Sequence, residues 1–181
     1  MRKRWSLPLC GALYGALCAC ANAPRPFRRD PLTADDHFDL GSAYEEQGLQ
    51  HDAARQYKKA LRLDPSDSEA WVASGNVKFK RGDFSRAERD YLRALEVAGD
   101  HAGAQNRLAM AYLAQNKKLK EAERLAKTAL RQNATLRPYV LDTLAKIYER
   151  EGRYDEARAT AAEAESAAKD NGLPYPPPDY L

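Results

Sequence analysis

The sequence repeats with a period of 34 residues through its middle. Leu40, Ser74 and Leu108 stand 34 positions apart, as do Gly41, Gly75 and Ala109, and again Tyr44, Lys78 and Tyr112. Self-similarity at this spacing marks an array of small units that cannot bury their apolar faces alone, so neighbours must stack into one continuous core. Within a unit, apolar residues three, four and seven apart, such as Leu40 with Tyr44 or Ala53 with Tyr57 and Ala60, define amphipathic helices.

Each unit carries two such helices. The first has Leu40, Gly41 and Tyr44, then Ala53, Tyr57 and Ala60, closed by Pro65; the second has Trp71 and Gly75, then Ala87, Tyr91 and Ala94. The second copy departs from the first at Ser74, Lys78 and Gly99. The third carries Leu108, Ala109, Tyr112, Ala122, Ala126 and Ala129, with one extra residue between Asn116 and Lys120; the fourth reads Leu141, Leu144, Ala145, Tyr148, Ala157, Ala161 and Ala164, one further residue out of phase near Arg137.

Small residues at Gly41, Gly75, Ala109 and Ala145 let the partner helix approach, and the aromatics Trp71, Tyr57, Tyr91, Tyr112 and Tyr148 are expected in the core. Gly48, Gly82 and Gly152 read as left-handed residues ending the first helices, with Asn116 in that place in the third unit. Asp83 and Asp155 are predicted caps of second helices, and Pro65 with Ser66 and Ser68 reads as a stop and restart.

This order of residues resembles the tetratricopeptide repeat over residues 34–169. The resemblance implies an all-α fold, a right-handed α-solenoid of about four stacked helix-turn-helix repeats spanning 34–67, 68–101, 102–137 and 138–169, whose first helices line a concave groove. First-helix positions not needed for packing are then the expected peptide-binding residues: Asp35, Phe38, Asp39 and Ser42; Val72, Asn76 and Phe79; Asn106, Arg107, Met110 and Leu113; Tyr139, Asp142 and Lys146. The groove would have an acidic end, an apolar middle and a mixed-charge end. Asn76, Asn106 and Arg107 match part of the clamp with which some family members hold a terminal carboxylate, but Phe38 stands where that clamp has Lys.

The start of the chain reads differently. Arg2, Lys3 and Arg4 precede an uncharged, mostly apolar run from Ser6 to Ala19, an expected export signal over residues 1–19 that is too short for a membrane span. Leu17, Cys18, Ala19 and Cys20 resemble the lipobox of bacterial lipoproteins, which implies lipidation of Cys20 and, with Ala21 following, sorting to the outer membrane, facing the periplasm. Residues 20–33, with Pro24, Pro26, Pro31, Arg25, Arg28 and Arg29, form an expected flexible spacer. All three cysteines, Cys10, Cys18 and Cys20, lie in this region, so the repeats contain no disulfide.

Of the 29 Lys and Arg residues three are Arg2, Lys3 and Arg4, which leaves 26 against 26 Asp and Glu in the remainder. A neutral, mixed-sign body has no electrostatic footprint for nucleic acid. The Lys117, Lys118, Lys120 cluster is expected to be a solvated turn. His37, His51 and His101 lie in no metal-binding pattern, and neither a nucleophile elbow nor a phosphate-binding glycine loop occurs. The expectation is therefore a non-enzyme without cofactor, metal or small-molecule substrate.

Residues 170–181 form a Pro- and Tyr-rich tail, expected either to cover the open face of the last hairpin through Leu173, Tyr175, Tyr180 and Leu181 or to serve as a docking motif for a partner. The whole reads as a membrane-anchored scaffold whose partners are other envelope proteins or their peptide segments. The alternatives are a pilotin-like assembly factor for a pilus or secretion system and a non-catalytic regulator of a cell-wall enzyme.

Overall fold

The structure, a computed structural model, describes residues 30–175. The predicted signal segment, Cys20 and most of the spacer lie outside the described residues, as do Tyr180 and Leu181 of the tail. Among the described residues eight helices follow one another: α1 (Ala34–Glu46), α2 (Gln50–Leu63), α3 (Ser68–Lys80), α4 (Phe84–Val97), α5 (Ala102–Ala114), α6 (Leu119–Gln132), α7 (Arg137–Arg150) and α8 (Tyr154–Asp170), with a 3-10 turn at Ala134–Leu136. They pair as α1/α2, α3/α4, α5/α6 and α7/α8; each second helix also packs on the first helix of the next hairpin, and α5 touches both α3 and α7. This is the expected α-solenoid.

Position in the stack sets how much of each helix is buried. α5 and α7, enclosed by neighbours, each bury eight residues, whereas α1 at the end buries only His37 and Gly41. The core accordingly divides. One cluster runs from Val72 on α3 through Ile147 and Tyr148 on α7 to Ala167 on α8, and a smaller one, Ala53, Tyr57 and Val77, with Phe38 and Tyr44 against it, holds the first hairpin to α3.

Two different contacts close the hairpins. In the first two units a glycine faces a tyrosine: a Cβ on Gly41 would lie 2.6 Å from Tyr57 Cε1, and one on Gly75 would meet the Tyr91 ring even more closely. The last two units have Ala109 with Ala126 and Ala145 with Ala161 at the same register. Tyr57 and Tyr91 are almost fully buried, and their hydroxyls donate to Glu45 Oε2 at 2.9 Å and Asn76 Oδ1 at 3.0 Å, so the rings enter the core without stranding a polar atom. Trp71, expected in the core, is only half-buried, with Nε1 donating to the Pro65 carbonyl at 2.9 Å.

The departures in the second unit form one network. Ser74 and Lys78 replace Leu and Tyr, and across from them stands Asp90, where the third unit has Leu125; Ser74 Oγ donates to Asp90 Oδ2 at 2.6 Å and Lys78 Nζ pairs with the same oxygen. A polar trio occupies the place of an apolar one, and its members are mutually satisfied.

At the turns, Gly48, Gly82 and Gly152 have φ of 73°, 76° and 79°. The longer third turn is left-handed twice, at Asn116 and at Lys118, and this absorbs its extra residue. The second slip falls at the 3-10 turn and the start of α7, where Pro138 stands in the first turn. Asp83 caps α4 as expected, accepting from Arg86 N, but Asp155 does not cap α8: Arg153 holds that place with no side-chain cap bond. Restart after Pro65 comes from Asp67, whose carboxylate accepts from Ala70 N, rather than from Ser66 or Ser68. Thr33 with Asp36 makes a capping box for α1, and His101 Nδ1 caps α5 by accepting from Ala104 N at 3.2 Å.

Gly75→Ala should destabilise the protein by about 1–3 kcal/mol in chemical denaturation, and by much less in a Tyr91→Ala background where the clashing ring is gone. Asp90→Leu alone should be strongly destabilising because it strands Lys78. The triple change Ser74→Leu, Lys78→Tyr, Asp90→Leu, which installs the third unit's residues, should restore the denaturation midpoint to the wild-type value or above it.

Candidate protein-binding surface

The first helices α3, α5 and α7 lie side by side, and the residues they leave uncovered decide what the array can hold. Asp35 and Asp39 are exposed on α1. Phe38 is half-buried, its ring 5.6 Å from that of Tyr57, so it serves packing between α1 and α2. Ser42 is half-buried on α1. Glu45 accepts from Lys80 Nζ at 2.8 Å, a bridge from α1 to α3 that neutralises part of the expected acidic end.

Val72 is withdrawn from the expected groove set because it is buried in the main core. Asn76 is half-buried and holds the Tyr91 hydroxyl. Phe79 stacks edge-on to Phe84 at 4.9 Å and packs against the core. Asn106 is also withdrawn, being buried at 2% exposure. These residues sit on faces turned toward neighbouring helices, because a first helix flanked on both sides has less free surface than its sequence pattern allows. Arg107, Met110, Leu113 and Tyr139 are half-buried, Leu113 packing against the core on one side. Asp142 is half-buried and pairs with exposed Lys146 at 2.7 Å.

What the structure brings together is Leu113 on α5 with Lys146, Glu149 and Arg150 on α7 and Tyr154 at the start of α8, around a hollow of about 530 Å³. Asp142 and Lys146 also border a second cleft, of about 500 Å³, on the outer face of the last hairpin, with Tyr154 and Tyr175. Among the described residues no group of His, Cys, Asp or Glu could hold a metal ion, and no helix is long and apolar enough to cross a membrane.

Carboxylates on the second helices lock the units in register. Glu88 on α4 takes Lys117 at 2.7 Å and Gln115 at 3.2 Å from the next unit's turn. Glu123 on α6 takes Lys127 at 2.6 Å, Arg153 at 3.0 Å and the Tyr148 hydroxyl at 3.2 Å, and the Arg153 guanidinium lies 4.1 Å from the centre of the Tyr148 ring. Lys118 likewise sits over Tyr112, 4.8 Å from the ring centre. Lys117 and Lys118 keep exposed side chains, as the sequence predicts of this cluster, and at the same time pair with Glu88 of the preceding unit. Burial pushes the Glu123 carboxyl up, but the hydrogen bonds from Lys127 and Arg153 outweigh it and hold the group below the usual glutamate range; Glu88 is held low in the same way by Lys117 and Gln115.

A stack of helical hairpins joined side by side is a protein–protein interaction scaffold. The chain belongs to the tetratricopeptide repeat family: three models of that repeat match residues 34–77, 72–138 and 139–171. Among curated proteins it is similar to Protein O-mannosyl-transferase TMTC1 of Mus musculus, 32% identical over 73 residues, and to Tetratricopeptide repeat protein 14 of Mus musculus, 32% identical over 85. Those matches cover 40% and 47% of this chain but only 8% and 11% of the relatives, so the likeness extends to a small part of each. Two crystal structures of MamA share the fold, with TM-scores of 0.69 and 0.65 at 22% identity; the first match covers 79% of this chain and 82% of that one, the second 77% and 75%.

A carboxyl held low in the folded state contributes stability above the ordinary glutamate range, near pH 4.5, and that contribution is lost as pH falls through its folded-state value. Glu123→Gln should therefore lower the thermal midpoint at neutral pH, and the difference from wild type should shrink as pH is taken from about 6 to about 3. A difference independent of pH would mean that the carboxylate's charge is not what ties α6 to the α7/α8 turn.

Proposed function

We propose that this scaffold works at a bacterial envelope membrane, anchored by lipid on Cys20, and holds extended or helical segments of other envelope proteins along its first helices. The observation that carries the groove reading is the hollow between α5 and α7, where apolar Leu113 lies beside Lys146, Arg150 and Glu149. An apolar anchor on Leu113 flanked by an acidic side chain facing Lys146 or Arg150 fits that surface, and the exposed Asp35 and Asp39 at the other end favour a basic residue. Four first helices about 10 Å apart span roughly 30 Å, the length of about nine extended residues. The anchor reading is supported by the signal-like run and the Leu-Cys-Ala-Cys sequence at residues 17–20.

Arg150→Glu reverses an exposed charge at the end of α7 and should change stability by no more than about 1 kcal/mol. Affinity capture from solubilised envelope should then lose the partners that wild type retains, and equal recovery by both forms would remove the groove from consideration. Cys20→Ala should move the protein from the membrane to the soluble fraction; retention in the membrane would show that lipid on Cys20 is not the anchor.

A further inference from the structure

The second helices carry a surface that the groove leaves unused. On α2 the residues of the hairpin contact, Ala53, Tyr57 and Ala60, turn inward against α1, and the equivalent residues do the same on α4 and α6. The opposite face is a stripe of exposed positions four, three and four apart. It reads His51, Arg55, Lys58 and Arg62 on α2, Ser85, Arg89, Leu92 and Glu96 on α4, and Lys120, Arg124, Lys127 and Arg131 on α6. Over these three helices it holds eight cations and one carboxylate, Glu96. The same positions on α8, Asp155, Ala159, Ala162 and Ser166, are equally exposed and hold no cation. Solvation alone is indifferent to sign, so one sign kept over three units and dropped in the fourth points to a ligand of the other sign.

Neutrality of the whole chain does not cancel this field. Balancing acids lie on other helices, Asp35, Asp36 and Asp39 on α1 and Glu156, Glu163 and Glu165 on α8. Exposed charges more than about 8 Å apart are largely screened from one another at physiological ionic strength, so a face answers to its own charges. Nor are the cations all spent inside the molecule. Arg55 pairs with Asp52, Arg124 with Glu121 and Lys127 with Glu123, but among the described residues no carboxylate pairs with Lys58, Arg62, Arg89, Lys120 or Arg131. An exposed apolar side chain, Leu92, stands within the stripe, and Leu63 and Val97 are exposed at the ends of α2 and α4.

We propose that this face of α2, α4 and α6 lies on an anionic lipid bilayer, with its five unshared cations against headgroup phosphates and Leu92 at the interface. The first helices then turn away from the membrane and stay open to partners. A bilayer fits this surface better than a nucleic acid does. The cations are spread over three successive units instead of lining a groove, no aromatic ring stands in the stripe for a base to stack on, and exposed leucine has a place in a lipid interface and none against a phosphodiester backbone.

Vesicle sedimentation with the full chain carrying Cys20→Ala tests this without lipid on the protein, so failure of the Cys20 anchor would leave the result unaffected. Residues 1–33 are common to every form compared, and differences therefore report on the repeats. Lys58→Gln, Arg62→Gln, Arg89→Gln and Lys120→Gln together break no ion pair. They should weaken partitioning onto phosphatidylcholine vesicles containing about one-third phosphatidylglycerol by at least about tenfold, and leave partitioning onto phosphatidylcholine alone as it was. Lys58→Arg with Lys120→Arg, which keeps the charge, should bind as the parent does. Equal partitioning of the parent and the four-Gln form would overturn the proposal. Duplex DNA that displaces the anionic vesicles from the parent at about 0.15 M salt would also overturn it, by naming a nucleic acid as the ligand.

Discussion

The close approach of two helices inside each hairpin is the contact on which the rest of this structure depends. Stacking needs a flat, narrow unit, and a unit is narrow only if one helix presents almost nothing at the crossing. Gly41 and Gly75 meet this by accepting a tyrosine ring edge against bare backbone, and the last two units carry Ala109 with Ala126 and Ala145 with Ala161 at the same repeat positions. Both solutions fill the same gap with different partitions of volume, which is why residues at one repeat position can be read only together with those at its partner.

The same rule governs the polar substitutions. Ser74, Lys78 and Asp90 look like decay of the repeat when taken singly, but together they replace an apolar trio by a satisfied network. Between units, Glu88 and Glu123 do for register what the alanines and glycines do for distance. Each accepts from the turn of the following hairpin, and the rings of Tyr112 and Tyr148 give the cations of those turns a second partner.

Periodicity made the helices, their pairing and the left-handed turns legible in the sequence, because apolar spacing and glycine placement are local properties. The two slips were legible for the same reason, and the structure puts them at Asn116–Lys118 in the third turn and at the start of α7. Caps were read poorly: Thr33, Asp67 and His101 do this work, and the first two could have been found from Thr33 standing three before Asp36 and Asp67 standing just before α3. The groove was the least legible part. Whether Val72, Phe79 or Asn106 faces a partner or a neighbouring helix depends on how hairpins lean on one another, and a single helical period carries no information about that. The pairing of Lys117 and Lys118 with Glu88 was not legible because that carboxylate lies in the preceding unit, nearly a full repeat away in sequence.

The division of the core into a long cluster and a short one gives the array an uneven cooperativity. From α3 onward buried side chains form one continuous body, while α1 and α2 are attached through Tyr57, Val77 and their few apolar neighbours, together with the Glu45–Lys80 bridge. A one-dimensional stack with one weak joint does not melt uniformly; its lowest-energy excitation is the opening of that joint. The first hairpin is therefore the unit that can detach and return while the others stay folded, which makes the amino-terminal end of the solenoid its soft end.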